Sequence, residues 1–164
     1  MPPLVSVCIT AYNIEKYIGE CIESILRQKV NFEYDIIIGD DCSTDGTLQS
    51  CEAYQQKYSH IRILKHEQNV GIMPNTIDVI EQSNAKYIAL MDGDDVWIDE
   101  NKLQKQINFL ESNLEYVHCF HDAHIADASL KYKTLFSKRY PNRDYTQPFS
   151  AEQVVKWRVI GATS

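Results

Sequence analysis

The chain has 164 residues, of which 44% are hydrophobic, and a formal net charge of −7. That size suits one domain with a real core and excludes wholesale disorder. The acidic balance, with no basic run, disfavours nucleic acid or an anionic membrane surface as the main partner.

Leu4 to Thr10 is a short β-branched apolar run and predicts a buried strand. Ile14, Tyr17, Ile18, Cys21, Ile22, Ile25 and Leu26 then recur at the spacing of an amphipathic helix. Tyr34 to Gly39 predicts a second strand. Thr47 to Tyr58 predicts a helix with Leu48, Cys51, Tyr54, Gln55 and Tyr58 on one side, and Asp45 or Ser43 is expected to cap it. Ile61 to Lys65 predicts a third strand, and Val70-Gly71 leads into a helix through Thr76, Ile77 and Ile80. Lys86 to Met91 predicts a fourth strand. Asp99 is expected to cap the helix carrying Leu103, Ile107 and Leu110, and Tyr116 to Phe120 predicts a fifth strand. Lys131 to Pro148, basic and tyrosine-rich with two prolines, reads as a loop or flap. Ser150-Ala151-Glu152-Gln153 has capping-box spacing and predicts a short helix through Val154, Val155 and Trp157.

Alternating strands and helices with continuously apolar strands predict an α/β fold. The sheet is expected to be mostly parallel and flanked by helices. Ligands of such sheets bind at the carboxyl ends of the strands. Thr10-Ala11-Tyr12-Asn13, Asp40-Asp41 and Asp92-Gly93-Asp94-Asp95 all fall at such ends. Three carboxylates at one strand end repel one another unless a cation sits between them. A divalent metal holding a phosphorylated ligand answers that repulsion, and both Mn2+ and Mg2+ accept oxygen ligands. Neither a G-x-G-x-x-G after the first strand nor a G-x-x-x-x-G-K-[ST] is present, so a glycine loop is not the main phosphate holder.

The five cysteines include no C-x-x-C pair, and four lie within apolar patterns; free thiols in the cytoplasm are expected. No apolar run approaches the ~18 residues of a membrane span, and the first residues do not resemble a signal peptide. His118, His121 and His124 recur every three residues. On a strand such residues alternate faces, so a shared metal is not expected. Trp97 is expected to pack in the core, and Asp45 to serve as a cap.

The motifs together resemble the family 2 glycosyltransferases, whose fold is the Rossmann-like nucleotide-diphospho-sugar transferase fold called GT-A. The matching runs are Val5 to Asn13, Glu20 to Gln28, Asp40 to Thr47, Asn69-Val70-Gly71 with Asn75, Asp92 to Asp95, and Lys102-Leu103. They come in family order over roughly residues 4 to 112.

The resemblance implies an inverting, metal-dependent transfer of a hexose-type sugar from a nucleotide-diphospho-sugar, UDP-sugar foremost. The acceptor would be a glycan or lipid-linked hydroxyl, as in surface polysaccharide or glycolipid synthesis at the cytoplasmic face of the membrane. Thr10, Ala11 and Tyr12, with Asn13, would line the base pocket, and Asp40 would accept from the uracil ring nitrogen. Asn75 would contact the nucleotide. Asp92 would lie near ribose and the metal, Asp94 would bind the metal, and Asp95, with Gly93 beside it, would face the donor sugar or the metal shell. The family's base is a carboxylate expected beyond Ser164, and Asp122 matches a different, structural segment. Residues 1–164 are thus read as one glycosyltransferase domain. The nucleotide-sugar part is 1–112, and 113–164 begin an acceptor-side region, incomplete at its C-terminus. An edge left open there is expected to favour a homodimer, and peripheral membrane association would come through other regions. Two alternatives stay open: a non-catalytic nucleotide-sugar-binding module, and a haloacid-dehalogenase-like phosphatase using Asp92-x-Asp94.

Overall fold

The structure is a computed structural model and describes residues 2–127 and 131–139. It divides into two compact units, Met1–Ile107 and Asn108–Ser164.

In the first unit four strands alternate with helices. They are β1 (Val5–Ala11), α1 (Glu15–Leu26), β2 (Tyr34–Asp40), α2 (Thr47–Lys57), β3 (Ile61–Lys65), α3 (Ile72–Glu81) and β4 (Tyr87–Asp92). A helix α4 (Lys102–Ser112) follows and runs across the unit boundary. The sheet order is β3-β2-β1-β4 and every pairing is parallel. The chain therefore reverses its direction of growth at β1, and the switch point of the sheet lies beside that strand. The register places Thr10 beside both Gly39 and Asp92, and Ala11 beside Asp40. Those five residues lie together at the carboxyl end of the sheet.

The four strands and their helices stand where the sequence predicts them, with ends differing by a residue or two. Continuous β-branched runs give strands buried on both faces. On one face Val5, Val7, Ile9, Ile36, Ile38 and Ile61 pack with Ile18, Cys21, Ile22 and Ile25 of α1, Cys51 of α2, and Leu103 and Ile107 of α4. On the other, Cys8 and Ile37 meet Val79 of α3. Burying each such Ile or Val stabilises the fold by about 1.5–3 kcal/mol, so the first face carries most of the cohesion. Gln55, expected on the inner side of α2, is exposed, while Cys51 is buried there.

β4 departs from the expected buried strand. Among the described residues it is the sheet's edge, and Ile88 and Leu90 are 42% and 51% exposed. They lie on the face that α3 covers over β1 and β2.

In the second unit, residues 116–120 form no strand, contrary to expectation. The observed strand is β5 (His124–Ala126), antiparallel to β6 (Tyr132–Leu135), which runs into the four-residue helix α5 (Phe136–Arg139). The run Tyr116 to Phe120 has strand composition, but among the described residues no ladder includes it, and pairing decides. Of the loop expected over Lys131 to Pro148, residues 132–139 form β6 and α5, and the part after residue 139 lies outside the described residues. The helix expected from Ser150 lies outside the described residues.

α3 can lie against β2 because Gly39 has no side chain. A Cβ there would fall 2.0 Å from Asn75 Oδ1 and 2.4 Å from Val79 Cγ2. Gly39→Ala is expected to destabilise the fold by about 1–3 kcal/mol, the usual range for overpacking. Urea unfolding checks this, and an unchanged midpoint would contradict the close packing.

Candidate functional site

The loops after β1 and β2 are stitched together by side chains. Asn13 takes a left-handed backbone (φ 51°), and its Oδ1 accepts from the Thr44 N–H (2.8 Å) and hydroxyl (3.3 Å). The Asn13 N–H donates to Ser43 Oγ (3.1 Å), and the Ile14 N–H to Thr47 Oγ1 (2.8 Å). Asp45 and Glu15 then cap across the gap. Asp45 accepts from the Glu15 N–H (3.1 Å) and from Thr47 N–H and hydroxyl (3.0 and 2.5 Å), while Glu15 accepts from the Gly46 N–H (3.1 Å). The N-cap position of α2 is held by Gly46 and not by the expected Asp45, which from one residue earlier binds N–H groups at the starts of both α1 and α2. Slight burial pushes its carboxyl up; the bonds from Thr47 and Glu15 outweigh that and hold it below the usual range.

The Asp40-Asp41 pair divides its work. Asp41 is buried and clamps the turn before α3, accepting from the N–H groups of Val70 (2.7 Å) and Gly71 (2.9 Å). Gly71 has φ 90°, which favours glycine there. Asp40 is 1% exposed, and its Oδ2 accepts from the Ser43 N–H (3.1 Å). Its Oδ1 is buried with no hydrogen-bond partner among the described residues. Such an acceptor is costly unless something else satisfies it. Asn75, expected at the nucleotide, is buried in this ligand-free structure. Its Nδ2 donates to the Gly39 carbonyl (2.9 Å), and its Oδ1 lies 3.1 Å from His66 Nε2. Both ends of the amide are engaged within the protein, so in this structure Asn75 braces α3 against β2 and β3.

The acidic turn follows β4. The Gly93 N–H donates to the Thr10 carbonyl (3.0 Å) and the Asp95 N–H to the Asp92 carbonyl (3.0 Å), so the four residues fold back at the end of β1. A Cβ on Gly93 would fall 2.5 Å from Ile14 Cδ1 and 2.9 Å from the Thr10 carbonyl, so only glycine fits. The Thr10 hydroxyl lies 3.4 Å from Asp92 Oδ1. Burial, then the charge of Asp94, raises the Asp92 carboxyl above its usual range, with Thr10 pulling the other way. Asp95 keeps solvent contact, yet desolvation in the turn, then Asp94 and Asp92, push its carboxyl up to about 6. No positive charge appears among these causes. The turn therefore suits a cation electrostatically. Among the described residues, no three His, Cys, Asp or Glu side chains are disposed to hold a metal alone. A cation at this turn would need oxygens from a ligand or water as well.

Thr10, Ala11, Tyr12, Asn13, Asp40, Asp92, Gly93, Asp94 and Asp95 are thus all at one end of one sheet; Tyr12 is 47% exposed there. Helices α1, α2 and α3 begin at the same end, which favours an anion. Trp97 is buried in the core as expected, under the Lys102 ammonium at 3.9 Å from the ring centre. In the second unit, His118 stacks on Phe120, and His121 Nδ1 lies 2.7 Å from the Asp122 carbonyl. The Asp122 carboxylate accepts from the Ser137 hydroxyl (2.5 Å) and N–H (3.0 Å), a structural engagement. All five cysteines are free thiols. Sequence reasoning missed the roles of Glu15, Ser43, Thr44, Thr47 and Asp41. Only the density of Ser, Thr and Asp at the two strand ends could have signalled them.

The chain matches the model of Glycosyl transferase family 2 over residues 6–159. TuaG of Bacillus subtilis, named a candidate glycosyltransferase of teichuronic acid biosynthesis, is 36% identical over 108 residues, covering 66% of this chain and 42% of TuaG. Glycosyltransferase GlyG of Streptococcus pneumoniae is 34% identical over 104 residues, covering 63% of this chain and 34% of GlyG. Among solved structures, S. aureus TarS residues 1–349 in complex with UDP match at TM-score 0.62 and 30% identity, covering 70% of this chain and 33% of that one. The mannosyltransferase PcManGT of Pyrobaculum calidifontis, in complex with GDP-Man and Mn2+, matches at TM-score 0.60 and 18% identity, over 67% of this chain and 33% of that one. That second likeness is one of fold, the GT-A fold. The chain spans between a third and about two fifths of the length of these relatives.

A carboxyl raised from 3.8 to about 6 binds protons more tightly folded than unfolded. Ligand-free stability is therefore greatest below about pH 4 as far as this group is concerned, and falls as pH rises toward 6. Asp95→Asn is expected to raise the metal-free melting temperature at pH 7 and flatten its slope between pH 4 and 6. Thermal melts across that window check this; parallel slopes would contradict it.

Proposed function

The chain belongs to glycosyl transferase family 2, and from that premise we propose that this crevice holds the donor of an inverting glycosyltransferase, a UDP-sugar. The observation that carries the reading is the grouping at the sheet end. The acidic turn and the half-satisfied Asp40 flank Thr10 and Ala11, one strand to either side. Two strand spacings amount to about 10 Å, a span that a nucleoside diphosphate can bridge. The UDP and UDP-GlcNAc complexes of TarS support the choice of nucleotide.

Asp40 Oδ1 would accept the ring N–H of the base, after a slight opening, because it is shielded in the ligand-free state. Tyr12, with Thr10 and Ala11, would flank the base. Asp92 would meet the ribose. Asp94 and Asp92 would hold a divalent cation, Mn2+ or Mg2+, with diphosphate oxygens completing its shell, and Asp95 would face the sugar or that shell. When bound, such a cation supplies Lewis-acid stabilisation to the negative charge of the leaving diphosphate. The helix N-termini at this end would add to that field. Asn75, which braces Gly39 in the ligand-free chain, would contact the nucleotide as well. No base is assigned: Asp122 is engaged by Ser137.

The acceptor is proposed to be a glycan or lipid-linked hydroxyl in surface polysaccharide or glycolipid synthesis, supported by the name of TuaG. The site of action is proposed to be the cytoplasmic face of the membrane; no helix among the described residues is long and apolar enough to cross one. Ile88 and Leu90 on the β4 edge support self-association of the 164-residue chain. Light scattering is expected to show a dimer, and a monomer at all concentrations would contradict it.

Calorimetric titration of UDP is expected to show binding that depends on Mn2+ and weakens at least roughly tenfold in Asp94→Ala, a loss of about 1.4 kcal/mol or more. Binding indifferent to both metal and substitution would overturn the assignment of the turn. Absence of UDP binding would overturn the donor reading itself.

A further inference from the structure

We propose that Asn13 and Ser43 are positioning residues for Asp40, and thereby give the crevice its preference for a base with a ring N–H donor over one with a ring acceptor. This rests on the nucleotide reading above and adds to it.

The linkage is a short chain of hydrogen bonds. Thr44 donates twice to Asn13 Oδ1, at 2.8 and 3.3 Å, and Asn13 donates its N–H to Ser43 Oγ at 3.1 Å. Ser43 in turn donates its N–H to Asp40 Oδ2 at 3.1 Å. Cys42, between Asp41 and Ser43, has φ 60°, a left-handed turn that brings the Ser43 N–H back to Asp40. Two non-glycine residues in that region, at the ends of adjacent strands, persist only when surroundings hold them. Asn13 is held by the bonds just named.

A carboxylate with no hydrogen bond is free to turn about its terminal torsion, which is broad. The Ser43 N–H selects one orientation and leaves Oδ1 as the unengaged atom among the described residues. An acceptor so placed rewards a donor N–H and penalises a lone pair. Uracil presents an N–H at the ring position where cytosine presents an acceptor. The Asn13–Ser43–Thr44 clip is the part that fixes Ser43, because Ser43 and Thr44 belong to no helix or strand and Thr44 is exposed. Released from Asn13, the segment would let the Asp40 carboxylate turn.

The test compares UDP with CDP, each with Mn2+, by calorimetry on wild type, Ser43→Ala, Asn13→Gly/Ser43→Ala and Asn13→Asp. Glycine keeps the left-handed backbone and removes the acceptor; Ser43→Ala removes the second contact. Neither substitution touches Asp40 or the acidic turn. The double variant removes three hydrogen bonds and is expected to lower the UDP-to-CDP preference roughly tenfold, since only part of their worth reaches Asp40. Asn13→Asp, which keeps an acceptor and tolerates the same φ, is expected to recover most of that preference. If the double variant does not fold, Ser43→Ala alone is read, with a smaller loss of the same sign. A wild-type preference in these variants overturns the inference, as does equal weakening of UDP and CDP, which a merely structural role would give. Asn13→Asp behaving like the glycine variant also overturns it. A wild type that binds neither nucleotide overturns the donor reading, and this inference with it.

Discussion

The reciprocal capping between the β1–α1 and β2–α2 loops is the interaction on which the crevice depends. Parallel strands bring their carboxyl ends together but do not fix the loops beyond them. Here Asp45 caps the start of α1 while Glu15 reaches back to Gly46. Thr47 and Asn13 add four more ties between the same loops. Each bond is worth only about 1 kcal/mol net, but they share partners and cannot be broken one at a time without loosening the rest. Asp41 extends the lattice to the turn before α3, and Thr10 extends it to the acidic turn. Four strand ends are thereby joined into one rim around β1.

That rim carries unmet electrostatics. The acidic turn crowds three carboxylates around Gly93, where a Cβ would clash with Ile14 and the Thr10 carbonyl. Asp40 buries an oxygen that nothing among the described residues satisfies. Both features oppose stability in the ligand-free protein, and under the proposed function a cation and an N–H donor would make both favourable. Polar groups left unmet in this way support the proposed ligand site over a purely structural role. The same logic separates Asp40 from Asp41, which is equally buried yet fully engaged.

Much of the fold was legible because burial on both faces leaves a plain record. Ile36 to Ile38 and Val5 to Ile9 could hardly be anything but strands of a covered parallel sheet, and the α1 periodicity could only be a helix. Tyr116 to Phe120 failed because a strand needs a partner that composition does not show. The strand that does pair, His124–Ala126, has only three residues and little pattern. β4 read as buried from Tyr87-Ile88-Ala89-Leu90, but exposure depends on what lies beyond the sheet edge. At the site, carboxylates at strand ends were legible as a group. Their separate roles were not, because Asn75, Asp41 and Asp40 are all polar residues near one crevice. Only the location of their partners tells a brace from an open acceptor.

The central claim is that these four loops act as one ligand site. Amide chemical-shift mapping of the 15N-labelled chain with UDP and Mg2+ tests it most directly. The account predicts shifts concentrated at residues 10–13, 40–45, 69–71 and 92–95, with the outer edge of β3 and the N-terminal ends of the strands unmoved. Shifts centred elsewhere, or confined to the acidic turn alone, would contradict it.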